Sequence, residues 1–114
     1  MNQLSGTKSN VIICEESDHD FGHVSTGKPL VHCFKLKNIG RKPVSILKVA
    51  PGCRSCIEII DYQKTPIQPG MIGDVILALL IENQTGEFKN SAIVKTDASD
   101  NAYLLLKLYA LIDE

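Results

Sequence analysis

The C-terminal stretch Ala102-Tyr103-Leu104-Leu105-Leu106-Lys107-Leu108-Tyr109-Ala110-Leu111-Ile112 decides the fold. It is read as the last and longest strand of the chain. Leu104, Leu106, Leu108 and Ala110 then share one face, and Tyr103, Leu105, Lys107, Tyr109 and Leu111 share the other, because successive strand residues point to opposite sides. The segments upstream fit the same reading. None sustains a helical period; apolar residues alternate or run in short blocks between Gly, Pro, Asn and Asp.

Strands are expected over Val11–Cys14, Phe21–Val24, Leu30–Lys37, Val44–Val49, Val75–Ile81 and Phe88–Thr96, in addition to Ala102–Ile112, and Cys56–Ile60 is a short apolar piece. Between them lie turn sequences such as Asn38-Ile39-Gly40-Arg41-Lys42-Pro43 and Pro66-Ile67-Gln68-Pro69-Gly70, where Pro and Gly fix the backbone angles a turn needs. About seven strands at near-regular spacing with no intervening helix define an all-β sandwich or barrel. In Val44–Val49, Val44, Ile46 and Lys48 are assigned to one face and Leu47 and Val49 to the other.

Size and charge bound the rest. The 114 residues make one domain, read as a flexible N-terminal segment, 1–10, followed by a sandwich over 11–114. Twelve basic against thirteen acidic residues leave a net charge of −1, which excludes a nucleic-acid binder working through bulk positive charge. The longest unbroken apolar run, Val75–Ile81, falls far short of the ~20 residues needed to span a bilayer, so no direct membrane insertion is expected. Residues 1–10 lack the charged start and apolar middle of a signal peptide. That is consistent with a cytoplasmic protein or with an exported one whose signal has been removed.

The ordered set His19-Asp20-Phe21-Gly22-His23-Val24, Gly27, Phe34, Leu36, Asn38, Gly40, Pro43, Ile46, Val49, Cys53, Pro66, Pro69, Gly70, Gly86 and Phe88 resembles the bacterial domain-of-unknown-function family 1573. Its members are immunoglobulin-like sandwiches related in shape to ASH/Hydin and major-sperm-protein domains. The resemblance spans roughly residues 11 to 111. It implies a seven-stranded Greek-key immunoglobulin-like antiparallel β-sandwich and an extracytoplasmic or periplasmic setting, and it brings no catalytic residues. The chain departs from the family at one place. Where the family usually has C-G-C-T, the chain reads Gly52-Cys53-Arg54-Ser55-Cys56, a C-x-x-C spacing.

Three readings of Cys53 and Cys56 stand open. They are two thiols or one local disulfide pinning a loop; or they are half of a metal site for Zn²⁺ or Cu(I), completed by His19, His23, His32 or Cys33 or by a second chain; or they cycle between thiol and disulfide. The last ranks lowest, since a redox C-x-x-C normally opens a helix and none is read here. His19 and His23 sit four apart, which on a regular strand places them on one face. His32 is in phase with Phe34 and Leu36, and Cys33 with Lys35 and Lys37. Cys14 shares the face of Ile12 and reads as a small buried hydrophobe. Asn83-Gln84-Thr85 fits a glycosylation sequon and is read as a surface turn. No Ser-His-Asp order, phosphate-binding loop or dinucleotide glycine pattern is present, so an enzyme is not expected and no cofactor is assigned.

Surface apolarity points to function. Only one face of each strand packs between the sheets. Yet the second face of the last strand carries Tyr103, Leu105, Tyr109 and Leu111, and Val75–Ile81 leaves Ile76, Ala78 and Leu80 outside. Ile93 adds to an outward patch. Contiguous apolar surface marks an interface. The expected function is therefore a non-catalytic interaction or structural module, contacting a protein partner or a second copy through Tyr103, Leu105, Tyr109, Leu111, Ile76 and Leu80.

Overall fold

A computed structural model of the chain describes residues 11–25, 28–81, 85–99 and 102–113. The N-terminal segment 1–10 and Asn83 and Gln84 of the sequon lie outside the described residues, as do Thr26, Gly27, Glu82, Asp100 and Asn101 from the expected turns.

Eight strands are present: β1 (Ile12–Ile13), β2 (Asp18–Ser25), β3 (Leu30–Asn38), β4 (Ile46–Pro51), β5 (Ile57–Tyr62), β6 (Ile72–Leu79), β7 (Gly86–Thr96) and β8 (Tyr103–Asp113). They form two four-stranded sheets, ordered β1-β3-β6-β5 and β2-β8-β7-β4. β3 neighbours β6 rather than β4, so the chain crosses between sheets in the manner of a Greek key. Every pair is antiparallel except β2 with β8, which is parallel. The N-terminal stretch starts on β3 in one sheet and crosses over through Glu15–Ser17 to run beside the last strand of the other.

Strict alternation builds the interior. Phe34 and Leu36 of β3, Val75, Leu77 and Leu79 of β6, Val94 of β7, and Leu106 and Leu108 of β8 are all fully buried. Each contributes roughly 1.5–3 kcal/mol by leaving water. The phase assigned to β8 is the one observed, with Leu104, Leu106, Leu108 and Ala110 inward.

Two β-bulges alter the faces expected from sequence. In β2, Gly22 has φ of 74°, and its N–H donates to Asp20 Oδ1 at 2.8 Å. The register slips there: Asp20 lies opposite Tyr109 but His23 opposite Leu111, so three steps on β2 match two on β8. The extra residue resets the alternation. His19, Phe21 and Val24 therefore point inward and His23 outward, so the two histidines do not share a face. In β4 a slip between Ile46 and Lys48 leaves Leu47 and Lys48 both exposed and returns Val49 to the core, so Lys48 does not share the inner face of Ile46.

The turn after β3 is tied down by one buried amide. Asn38 Nδ2 donates to the carbonyls of Lys42 and Ile67, both at 2.8 Å, and its Oδ1 accepts from Gly40 N–H at 2.8 Å. Its main chain also pairs with Met71 and Gly70. One residue thus ties together three loop segments through its side chain and main chain.

Candidate functional site

The outer face of the β2-β8-β7-β4 sheet is built from cross-strand rows. Ala50 of β4, Ile93 of β7 and Leu105 of β8 form one row. Lys48, Lys95 and Tyr103 form the next. On the other side lie Ser91 with Lys107, then Lys89 with Tyr109, then Glu87 with Leu111. Exposure confirms the direction of the side chains: Tyr103 is 63% exposed, Leu47 52%, Ile93 47% and Leu105 46%. Directly opposed residues on one face have Cβ atoms about 5 Å apart, so Ile93 and Leu105 make a continuous apolar surface. Tyr109 and Leu111 are half-buried on the same face, further along β8. A shallow cleft of about 290 Å³ runs between Lys89, Ser91, Lys107 and Tyr109.

Ile76 and Leu80 belong to the other sheet. Ile76 sits opposite Cys33 of β3 and Asp61 of β5, and Leu80 follows β6, its N–H donating to Cys56 O at 2.7 Å. Both are half-buried and Ala78 between them is buried. The six residues singled out by sequence therefore divide between two opposite faces of the sandwich and cannot serve one contact. The second face also exposes Val31, Ile60 and Ile72, but its charges pair internally: Lys35 with Asp74 at 2.9 Å and Lys64 with Asp61 at 2.8 Å. Sequence reasoning missed Leu47 and Lys48 as members of the first face, because nothing in Ile46-Leu47-Lys48-Val49 signals the bulge that turns both outward.

Cys53 and Cys56 are joined by a disulfide in the turn between β4 and β5. The turn is closed by Cys56 N–H and Ile57 N–H, both donating to Cys53 O at 3.1 Å. Ser55 Oγ lies 3.4 Å from Cys53 Sγ. The cysteines follow β4, one edge of the sheet, while His19 and His23 are on β2, the opposite edge. Three inter-strand spacings of about 4.8 Å separate those edges, several times a metal–ligand bond. These four residues are not brought together as metal ligands, and no group of three or more His, Cys, Asp or Glu suited to a metal occurs among the described residues. His23 Nδ1 instead lies 3.4 Å from Asp113 Oδ1.

His19 reaches across the sandwich to His32 of β3. Their rings stack at 3.7 Å, with Phe21 and Phe34 edge-on at 4.6 and 4.7 Å. Burial holds the His32 imidazole below the usual histidine range; His19 beside it acts the same way, and Glu16 opposes them. The free thiols, Cys14 and Cys33, are both pushed up, chiefly by burial. A second shallow cleft, about 380 Å³, is lined by Glu16, His32, Cys33 and Lys35 among others. Among the described residues no helix is long and apolar enough to cross a membrane.

Two packed four-stranded sheets in Greek-key order, with the N-terminal stretch divided between them, define an immunoglobulin-like sandwich. Solved structures of similar shape agree. A protein of unknown function from Porphyromonas gingivalis W83 matches with a TM-score of 0.73 and 15% identity, over 95% of this chain and 49% of that one. The ASH/PapD-like domain 7 of human CEP192 matches at 0.64 and 16%, over 100% of this chain and 91% of that one. The VesB protease of Vibrio cholerae matches at 0.69 and 8%, over 93% of this chain and 32% of that one. The chain thus spans half or less of the first and third, and at these identities the likeness shows the fold alone. The chain belongs to the family described as "Protein of unknown function (DUF1573)", which matches residues 12–110. No match was found among curated protein sequences.

Proposed function

We propose that this domain is a non-catalytic protein-contact module whose working surface is the outer face of the β4-β7-β8 strands. The single observation that carries the reading is the exposed Ile93–Leu105 pair, flanked by Tyr103, on a sheet whose other face already forms the core. Apolar side chains on the solvent side of a sheet bring the core nothing, and covering them favours association by roughly 1 kcal/mol for each half-exposed Leu or Ile. The ASH/PapD-like shape is compatible with such a role. In the cleft that holds His32 and Cys33 the thiol is directed to the carbonyl of Phe34 at 3.9 Å rather than to the imidazole, so no reaction is assigned to it.

The test is Leu105→Lys in the full-length protein, read by analytical ultracentrifugation and by co-purification with its bound partner. The reading expects association to weaken at least tenfold while the melting temperature stays within a few degrees of wild type. Unfolding of Leu105→Lys, or association unchanged by it, would overturn the assignment of this face.

A further inference from the structure

The apolar row is not alone on its face. Lys48 and Lys95 form the adjoining row with Tyr103, and Lys89 and Lys107 project from the same face on the other side. Lys48 and Lys95 are directly opposed across β4 and β7. Like charges in that position repel and destabilise a sheet, so the arrangement costs folding energy without return inside the domain. Neither makes an ion pair with any described residue, whereas Lys35 and Lys64 on the opposite sheet each hold a carboxylate within 3 Å. Among the described acids, Asp18 stands opposite Lys107 on β2, Asp20 opposite Tyr109 and Glu87 opposite Leu111, and exposed Asp97, two residues beyond Lys95, accepts from Ser45 N–H at 2.8 Å. The rows that adjoin Ile93 and Leu105 thus carry Lys48 and Lys95 on one side and Lys107 on the other, in a chain whose net charge is −1.

We infer that this face docks an acidic protein segment: an aliphatic or aromatic side chain seats on Ile93 and Leu105, and carboxylates lie over Lys48 and Lys95. The inference rests on the contact role proposed above and adds the chemistry of the partner. Complementary charge at the rim of an apolar contact steers encounter and rejects wrong partners.

The test places the photo-crosslinking residue p-benzoyl-phenylalanine at Leu105 of the full-length protein in the cells that produce it, with the crosslinked peptide sequenced by mass spectrometry. The same experiment is run in a Lys48→Glu/Lys95→Glu background, whose folding is checked by its melting curve. The expected result is an adduct on a protein segment of net negative charge, with a yield about tenfold lower in the charge-reversed background. An adduct on a neutral or basic segment, an adduct between two copies of this chain, or a yield indifferent to charge reversal overturns the acidic partner and leaves the contact face standing. An adduct on lipid, or none at all, overturns both.

Discussion

The imidazoles of His19 and His32 stack face to face, 3.7 Å between centroids and 11° from parallel, one ring from each sheet. The bulge at Gly22 makes this possible by keeping His19 on the inner face with Phe21. Two neutral imidazoles stack well; two imidazolium ions at that distance repel. His32 has its affinity for a proton lowered by burial first and by His19 second, with Glu16 pulling the other way.

Acid should therefore loosen the sandwich. The unfolded chain has the ordinary histidine pKa of about 6.5, and folded His32 lies below it, so the unfolded state binds more protons in the interval between. The contribution to stability is fully present above pH ~6.5 and is lost as pH falls through the folded value. Urea midpoints measured between pH 7.5 and pH 5 should fall with acid, and His32→Phe should fall less steeply. A midpoint that rises in acid would contradict the assignment.

Asn38 should be among the costliest polar positions to change. Truncation to Ala removes three 2.8 Å hydrogen bonds, while the carbonyl of Ile67 keeps Val44 N–H at 3.0 Å. Each such bond contributes roughly 0.5–1.5 kcal/mol, so a total of about 3 kcal/mol and a melting temperature lower by on the order of 10–15 °C are expected. Thermal unfolding followed by circular dichroism checks it; a loss under about 1 kcal/mol would mean that water replaces the amide.

What sequence made legible, and what it did not, follows from the period of two. β8 alternates without interruption from Tyr103 to Asp113, so its inward and outward residues could be read directly. β6 likewise buries Val75, Leu77 and Leu79 and turns Ile76 out. A bulge has no such signature: Gly22 and the Ile46–Lys48 slip each insert one residue and reverse every assignment beyond it, which separated His19 from His23 and put Lys48 outside. Pattern also says which side of a strand is outer but not which sheet the strand joins. Pattern therefore groups Ile76 and Leu80 with Leu105, although β6 and β8 lie in different layers.

Gly73 should tolerate no side chain. It faces the interior opposite Leu36, and a Cβ there would run into the end of Ile67, whose main chain bridges to Val44. Gly73→Ala is expected to cost roughly 1–3 kcal/mol through overpacking. Ile67→Val shortens the obstructing side chain, so the double variant should lose less than the sum of the two single changes. A double-mutant cycle by urea denaturation measures this coupling, and strict additivity would show that the two positions do not meet.

The Cys53–Cys56 disulfide closes a loop so short that its effect should be small. The chain-entropy relation gives about 2 kcal/mol for so few residues, against about 3 for a loop of some fifteen. Dithiothreitol should therefore lower the urea midpoint of the wild type modestly and leave Cys53→Ser/Cys56→Ser unchanged, with the reduced wild type and the variant coinciding. The same samples address metal binding. If the reduced thiolates found further ligands, zinc added after reduction would raise the wild-type midpoint above that of the variant and appear at one equivalent in elemental analysis. With His19 and His23 on the far edge of the sandwich, no such rise is expected, and a stoichiometric zinc lost in the variant would refute this placement of the ligands.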